Sequence, residues 1–198
     1  MSGARFPGYD VLDQRRNWDS VTRAVVENRL RPRHGRSFFT SEEEATCRAL
    51  LNRLLANDVD PELPVFEQLD RRLALDLTDG FRYEDMPPDP EAWRTSVREL
   101  DRLACEAHGS RFHELERGLQ TALLHRVKDS ECLGPLPVRR LWSVWLRYAC
   151  AAFYSHPDSW SEIGFGGPAY PRGYRNFGLD AREPWEVPDA GPRGDRGR

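Results

Sequence analysis

The stretch VRRLWSVWLRYACAAF, Val138–Phe153, decides the predicted fold. Its apolar side chains recur at helical spacing and cover a face wider than the single stripe of a surface helix. This face consists of Val138, Leu141, Trp142, Trp145, Leu146, Ala149 and Phe153. Because so wide a face must be covered by other elements, we predict that the stretch forms the central, most buried helix of an all-α protein.

Two amphipathic patterns upstream predict helices that pack on this central one. Ser41 and Glu44 have the spacing of a capping box, and the first turn is rich in acidic residues, so a helix begins there. A second pattern runs from Val65 to Leu77, and Gly80 follows as a terminator. A weaker pattern nearer the amino terminus indicates one further short helix.

The proline-rich stretch before residue 90 predicts the start of a long helix. Asp89 can cap a helix, and Pro90 suits the first helical position because its missing N–H needs no partner there. Gly109 supplies a break, after which a new apolar pattern begins. We expect two antiparallel helices joined by a short turn. The second helix has an apolar stripe of Phe112, Leu115, Leu119, Ala122 and Leu123.

The chain of 198 residues is long enough for one domain with a substantial core. We predict a single helical domain of about five to six helices with an ordered C-terminal loop that is rich in Gly, Pro and aromatic residues. Residues 1–36 form an N-terminal arm with a short helix, and 37–155 form the helical domain. Residues 156–186 form the structured aromatic loop, and 187–198 a disordered tail.

The loop begins with HPDSWSEIGFGGPAYPRGY, His156–Tyr174, which holds four glycines, three prolines and four aromatic residues. Flexible linkers contain few large side chains, so this composition indicates an ordered loop, and its prolines prevent any long regular element. We expect the loop to fold back onto other helices or onto a neighbouring polypeptide and to bury its rings there. The four rings belong to Trp160, Phe165, Tyr170 and Tyr174.

Charge and motifs exclude several classes of function. A net charge of −3 provides no field that would attract nucleic acid or an anionic membrane, and no apolar run is long enough for a membrane span. The sequence contains neither HExxH nor ExxH, and it lacks the GxSxG nucleophile elbow. We therefore predict no catalytic, cofactor-binding or metal-binding residue in this chain, no nucleic-acid partner and no direct membrane insertion.

Two suggestive clusters have an ordinary structural interpretation. Ser155, His156 and Asp158 follow a helix end, where such residues satisfy backbone groups and start a new turn. The Gly-Phe-Gly-Gly segment 164–167 leads into proline rather than a helix, which disfavours a phosphate site; its glycines allow positive φ or close packing of rings. For Arg172, stacking on a ring inside the loop is favoured over phosphate binding.

The four cysteines are widely spaced and form no CxxC pair. Plain thiols that pack as small apolar groups are the favoured interpretation. The alternative is a disulfide, either internal or to a partner, and Cys132 in its loop is the best candidate for exposure. The other three cysteines are Cys47, Cys105 and Cys150.

Four stretches, spread along nearly the whole length of the chain, resemble the gluconate 2-dehydrogenase subunit 3 family. They are Phe6–Leu12, Ser37–Leu54, Asp79–Arg94 and, most specifically, Tyr148–Trp185 with its EIGFGGPAYPRGY string. Two features depart from the family pattern. Asn57–Pro61 stands where members have an Ile-Ile-Pro-like stretch, and the chain lacks the twin-arginine export signal with which many members begin.

The resemblance implies a non-catalytic small subunit that binds, stabilises or helps to assemble an FAD-dependent GMC-type large subunit acting on sugars or other alcohols. FAD would belong to the partner, and this chain would hold no cofactor. Because the sequence shows no export signal of its own, we expect a cytoplasmic location, or a periplasmic one if a signal-bearing partner carries the chain. The interface anchors, or the local core that shapes the interface, are expected to be Trp160, Phe165, Tyr170, Arg172, Tyr174 and Trp185.

The alternative hypothesis is an independent helical enzyme or ligand-binding domain with a pocket near His156, Trp160 and Arg172. Surface apolarity separates the two hypotheses. A subunit without its partner exposes an apolar patch, whereas a self-sufficient enzyme has a closed pocket with converging polar groups. We expect the exposed patch.

Overall fold

The computed structural model describes residues 6, 8–31, 38–56, 63–176, 178 and 181–187. The all-α prediction is confirmed. The described residues form α1 (Ser20–Leu30), α2 (Ser41–Leu55), α3 (Val65–Ala74), α4 (Asp89–His108), α5 (Arg117–Lys128), α6 (Val138–Phe153) and α7 (Pro157–Ile163). Two 3-10 turns, Val11–Asn17 and Phe112–Glu114, and a two-stranded antiparallel ladder of β1 (Cys132–Leu133) and β2 (Leu136–Pro137) complete them.

The chain divides into two compact units. Residues Met1–Pro32 together with Tyr154–Arg198 make up one, which we call the terminal unit, and Arg33–Phe153 make up the other, the core unit. The four segments expected from the sequence stay a prediction. Residues 32–36 of the expected arm, the segment 57–61 and residues 188–198 of the expected disordered tail lie outside the described residues.

The prediction that α6 is the central helix of its unit is confirmed. Trp145 and Leu141 are fully buried, and Tyr148 is nearly so. The indole Nε1 of Trp145 donates to Ser96 Oγ at 3.0 Å, which satisfies its polar atom inside the core. Trp93 meets Tyr148 edge to face, with ring centroids 6.0 Å apart. Helices α2 to α5 thus enclose α6 around an aromatic-rich core.

The start of α2 differs by one residue from the sequence prediction. Thr40 is the N-cap, and its hydroxyl accepts from Glu43 N while Glu43 Oε2 accepts from Thr40 N at 3.0 Å. Ser41 and Glu44 therefore do not form the capping box. A tertiary contact stabilises this position of the helix start: the other oxygen of the buried Glu43 accepts from Arg98 Nε at 2.8 Å.

The end of α3 and the start of α4 also differ from expectation. Helix α3 ends at Ala74, so Leu77 lies in the connecting loop and is exposed. Asp89 is not a cap; its Oδ2 accepts from Tyr148 Oη at 2.7 Å and from Arg147 Nη2 at 2.8 Å. Burial and this hydrogen bond raise the pKa of Tyr148 well above its usual range. Asp89 thereby connects α4 to the central helix.

The connection from α4 to α5 is longer than the predicted short turn. Gly109 ends α4 in the left-handed conformation, as expected of a glycine at that position. The 3-10 turn that follows is held by Asp101, whose Oδ1 accepts from Phe112 N and from the Thr46 hydroxyl. Leu119 is exposed, and the buried face of α5 consists of Gln120, Leu123, Leu124 and Val127.

Candidate partner-binding surface

The terminal unit has a small core of its own. Val11, Trp18, Val26 and Trp160 pack together, and they come from the first 3-10 turn, from α1 and from α7. The hydroxyl of Ser161 on α7 accepts from Val11 N at 3.1 Å. The amino-terminal arm and the segment that follows α6 therefore form one structure.

Helix α7 lies where the sequence predicted only a loop. His156 is its N-cap and accepts from Asp158 N through Nδ1 at 3.3 Å, and Pro157 occupies the first helical position. Gly164 ends the helix with φ +72°. From the sequence, His156 and Asp158 were interpreted as residues that satisfy backbone groups and start a new turn, and this cap agrees with that interpretation. A helix of seven residues is too short for its periodicity to stand out in the sequence.

Trp160 is the anchor of α7. It is buried, its Nε1 donates to Tyr154 O at 2.7 Å, and the Arg29 guanidinium lies 5.3 Å from its ring centroid. Arg29 also donates to Ser155 O at 3.0 Å. Trp160 thus belongs to the small core of the terminal unit, and a role as an interface anchor stays a prediction.

Two glycines of the loop are required by close packing. A Cβ on Gly164 would lie 2.6 Å from the Phe6 ring, and a Cβ on Gly167 would lie 2.7 Å from the Trp18 ring. Both glycines have positive φ, which other residues rarely adopt. The prediction that these glycines provide positive φ and close ring packing is confirmed.

Arg172 and Trp185 stack on each other. The guanidinium carbon lies 4.2 Å from the Trp185 ring centroid, and Arg172 Nη2 donates to Gly166 O at 2.8 Å. Burial lowers the pKa of Arg172 from its usual value. This contact is of the kind predicted from the sequence, which favoured stacking of Arg172 on a ring of the loop over phosphate binding. Both side chains are half-buried and hold the loop in shape.

The remaining three rings of the loop are not buried within the chain. Phe165 is 41% exposed, Tyr174 48% and Tyr170 66%. Phe165 touches Trp160 edge to face at 5.5 Å between centroids, but its outer face is open. Burial of these three rings against a neighbouring polypeptide, the second possibility expected from the sequence, stays a prediction. The loop is held by its glycines and by hydrogen bonds to its backbone.

The terminal unit exposes further apolar side chains that the sequence reasoning missed. Val21 and Val25, whose spacing indicated a short helix, lie on α1 and are 69% and 52% exposed. Ile163, the last residue of α7, is also exposed. We refer to these side chains and the three open rings as the exposed apolar set, which consists of Val21, Val25, Ile163, Phe165, Tyr170 and Tyr174.

The three residues of the alternative pocket each have a separate structural partner. His156 caps α7, Trp160 packs in the small core, and Arg172 stacks on Trp185. Burial lowers the pKa of His156, although Asp158, 3.7 Å away, opposes this effect. These contacts describe a folded loop and give no support to a converging reactive site.

The four cysteines are free, so the internal disulfide considered from sequence is absent from these described residues. Cys47 is buried, and burial raises the pKa of its thiol well above the usual value. Cys132 is exposed as predicted, and Cys105 is exposed as well. Cys150 is half-buried.

Within the described ranges, no group of three or more His, Cys, Asp or Glu residues is placed to hold a metal ion. In the same ranges, each helix is too short or too polar to cross a membrane.

The sequence model of one family, described as Gluconate 2-dehydrogenase subunit 3, matches residues 41–167. The match begins with α2 and ends in the glycine turn after α7. It includes Trp160 and Phe165, whereas Tyr170, Arg172, Tyr174 and Trp185 lie beyond it. No curated protein and no solved structure matches the chain. Since the match covers more than half of its 198 residues, the chain belongs to the gluconate 2-dehydrogenase subunit 3 family.

Proposed function

We propose that the chain is a non-catalytic small subunit that binds, stabilises or helps to assemble a larger FAD-dependent GMC-type oxidoreductase acting on sugars or other alcohols. Family membership is the observation that carries this proposal, because the family is itself described as a dehydrogenase subunit. In the complex, the larger subunit holds FAD and performs the oxidation. This chain contributes contact area, stabilises the larger subunit and excludes water from the surface that it covers.

The exposed apolar set supports a binding role for the terminal unit. Tyr and Phe side chains bury a large area for few rotatable bonds, and such residues dominate the energy of protein interfaces. Tyr170 and Tyr174 are presented on a backbone that Gly167, Arg172 and Trp185 hold in shape. Binding therefore needs little ordering of the loop, which leaves more of the contact energy for affinity.

The cellular location of the complex depends on whether the larger subunit carries an export signal. We place the chain in the cytoplasm, or in the periplasm if a signal-bearing partner carries it there. In both places the contact would be the same, because it depends on apolar and aromatic groups rather than on a long-range field.

Co-expression tests the proposal directly. The chain is expressed with and without the flavoprotein encoded beside it, and the flavoprotein is also expressed alone. We expect a stable complex, and we expect flavin absorbance and dehydrogenase activity to fall when the chain is omitted. An active partner with its full content of flavin that neither binds nor needs the chain would contradict the proposal.

A second arm separates a permanent subunit from an assembly factor. The purified chain is added to flavoprotein that was made without it. Recovery of activity with a lasting complex indicates a stabilising subunit, whereas a requirement for co-expression indicates a role during assembly.

A further inference from the structure

His156 is a buried titratable residue that supports part of the exposed apolar set. Its side chain belongs to the interior of the terminal unit, and it is the N-cap of α7. The ring nitrogen Nδ1 accepts a hydrogen bond from Asp158 N at 3.3 Å, which satisfies one of the N–H groups left over at the start of a helix. A nitrogen that accepts this bond carries no proton, so the cap requires the neutral ring.

Protonation of the ring would convert Nδ1 from an acceptor into a donor. Nδ1–H and the backbone N–H of Asp158 would then face each other, and two donors cannot form a hydrogen bond. Because the ring is only 5% exposed, solvent does not readily replace the lost bond. The added positive charge would also lie at the positive end of the helix dipole. Acid therefore removes the N-cap of α7.

Within the part of the chain that the structure describes, two charged side chains lie close to this cap. Asp158 Oδ2 is 3.7 Å from Nδ1 and favours the protonated ring. Arg29 of α1 is a cation that donates to Ser155 O, directly before the cap, so it does not favour a second positive charge there. Val11, through which the first 3-10 turn bonds to α7, is uncharged. Burial outweighs the effect of Asp158, so the pKa of His156 is lowered from its ordinary value.

Helix α7 positions two members of the exposed apolar set. Ile163 is its last residue, and Phe165 follows directly after the glycine that ends it. Phe165 N donates to Trp160 O at 2.9 Å, and the two rings pack edge to face. A helix of seven residues has only about two turns, so loss of the first turn weakens the second. The cap of α7 therefore supports the placement of both exposed side chains.

We propose that protonation of His156 uncaps α7 and weakens binding of the larger subunit, which makes the interface sensitive to acid. This inference rests on the proposed function, because it concerns the surface through which the larger subunit binds. The intact helix binds the proton less readily than the frayed helix, so the intact population falls as pH drops below the ordinary pKa of histidine. Affinity falls with the population that presents Ile163 and Phe165 in place.

The pH dependence of complex formation tests the inference. The Kd for the larger subunit is measured at about pH 7.5 and about pH 5, on either side of the usual histidine titration. The wild-type chain is compared with His156→Asn and His156→Ser, whose capping groups accept the same bond and do not titrate in this range. We expect the wild-type Kd to rise about two- to fivefold more in acid than the Kd of either variant. Titration of the larger subunit itself affects all three proteins alike and cancels.

His108→Asn is the matched control, because His108 is exposed in the last turn of α4 in the core unit. This control should keep the acid dependence of the wild type. Acid dependence that is unchanged in both His156 variants, or lost equally in His108→Asn, would overturn the inference and leave the proposed function intact. Failure of the wild-type chain to bind the larger subunit at the higher pH would overturn the proposed function and this inference with it.

Discussion

The two units of the chain use aromatic residues in opposite ways. In the core unit, Trp93 and Trp145 are fully buried, and Tyr148 is only 2% exposed. In the terminal unit, Tyr170 and Tyr174 have about half or more of their surface open. Aromatic side chains therefore stabilise the interior of the core unit, whereas several of them remain exposed in the terminal unit.

The difference arises from what determines the backbone in each unit. Helix α6 is amphipathic and gains stability by burying its rings against neighbouring helices. The loop after α7 is held by positive-φ glycines, by the Arg172 stack and by Glu183, whose Oε1 accepts from Asn176 N at 2.7 Å. Because these contacts already hold the loop, its outer rings do not have to be buried within this chain and remain exposed.

The largest expected effect is in the core unit. Trp145→Ala removes a fully buried ring and leaves Ser96 Oγ without its indole donor, so the free energy of unfolding should fall by about 3–5 kcal/mol. Urea denaturation followed by circular dichroism measures this change. Tyr170→Ala, the matched change in the terminal unit, should alter stability by less than about 0.5 kcal/mol. Similar losses for the two variants would break the contrast between the units.

A smaller effect is expected from the packed glycine turn. Gly167→Ala adds backbone strain of about 1–2 kcal/mol and a clash with Trp18 worth about 1–3 kcal/mol more. Gly173→Ala is the control, because Gly173 also has positive φ but has open space around it. Amide exchange in α7 should accelerate strongly in the first variant and weakly in the second. Equal acceleration would show that ring packing does not hold the turn.

Tyr148 provides a test that depends on pH. Tyr148→Phe removes the hydrogen bond to Asp89 and should cost about 1–2 kcal/mol at neutral pH. The raised pKa means that the fold favours the neutral phenol, so this contribution is complete below pH 10 and declines as pH rises further. The stability difference between wild type and variant should therefore shrink above pH 10. A difference that stays constant there would contradict the buried pairing.

The smallest expected effect concerns the cap of α7. The fold lowers the pKa of His156, so the unfolded chain binds the proton more readily and stability falls as pH drops below about 6.5. His156→Asn keeps a capping group that does not titrate in this range. Amide protection of α7 should decline in acid for the wild type and less for the variant. Identical acid profiles would exclude His156 as the source.

Much of the fold was predictable because helical periodicity is a local signal. The central helix, the break at Gly109 and the start near Pro90 all follow from such signals. The capping residue of α2 was misplaced by one position because Glu43 is fixed by Arg98, which lies 55 residues away in the chain. Distant pairings of this kind leave no mark in local spacing.

The candidate surface was predictable in composition but not in geometry. Its aromatic loop was identified from sequence, yet the burial of Trp160 and the exposure of Tyr170 could not be separated. The hydrophobicity of a ring predicts that it will be buried, but it does not distinguish burial within its own chain from burial against another protein. The stack of Arg172 on Trp185 likewise required the folded loop.

The affinity of the exposed rings for the larger subunit tests the central claim most directly. The double variant Tyr170→Ala, Tyr174→Ala is compared with Phe81→Ala, which removes an exposed ring from the core unit. The account predicts a loss of about 2–4 kcal/mol in binding for the double variant, with an unchanged melting temperature and little effect of Phe81→Ala. Unchanged affinity of the double variant would contradict it.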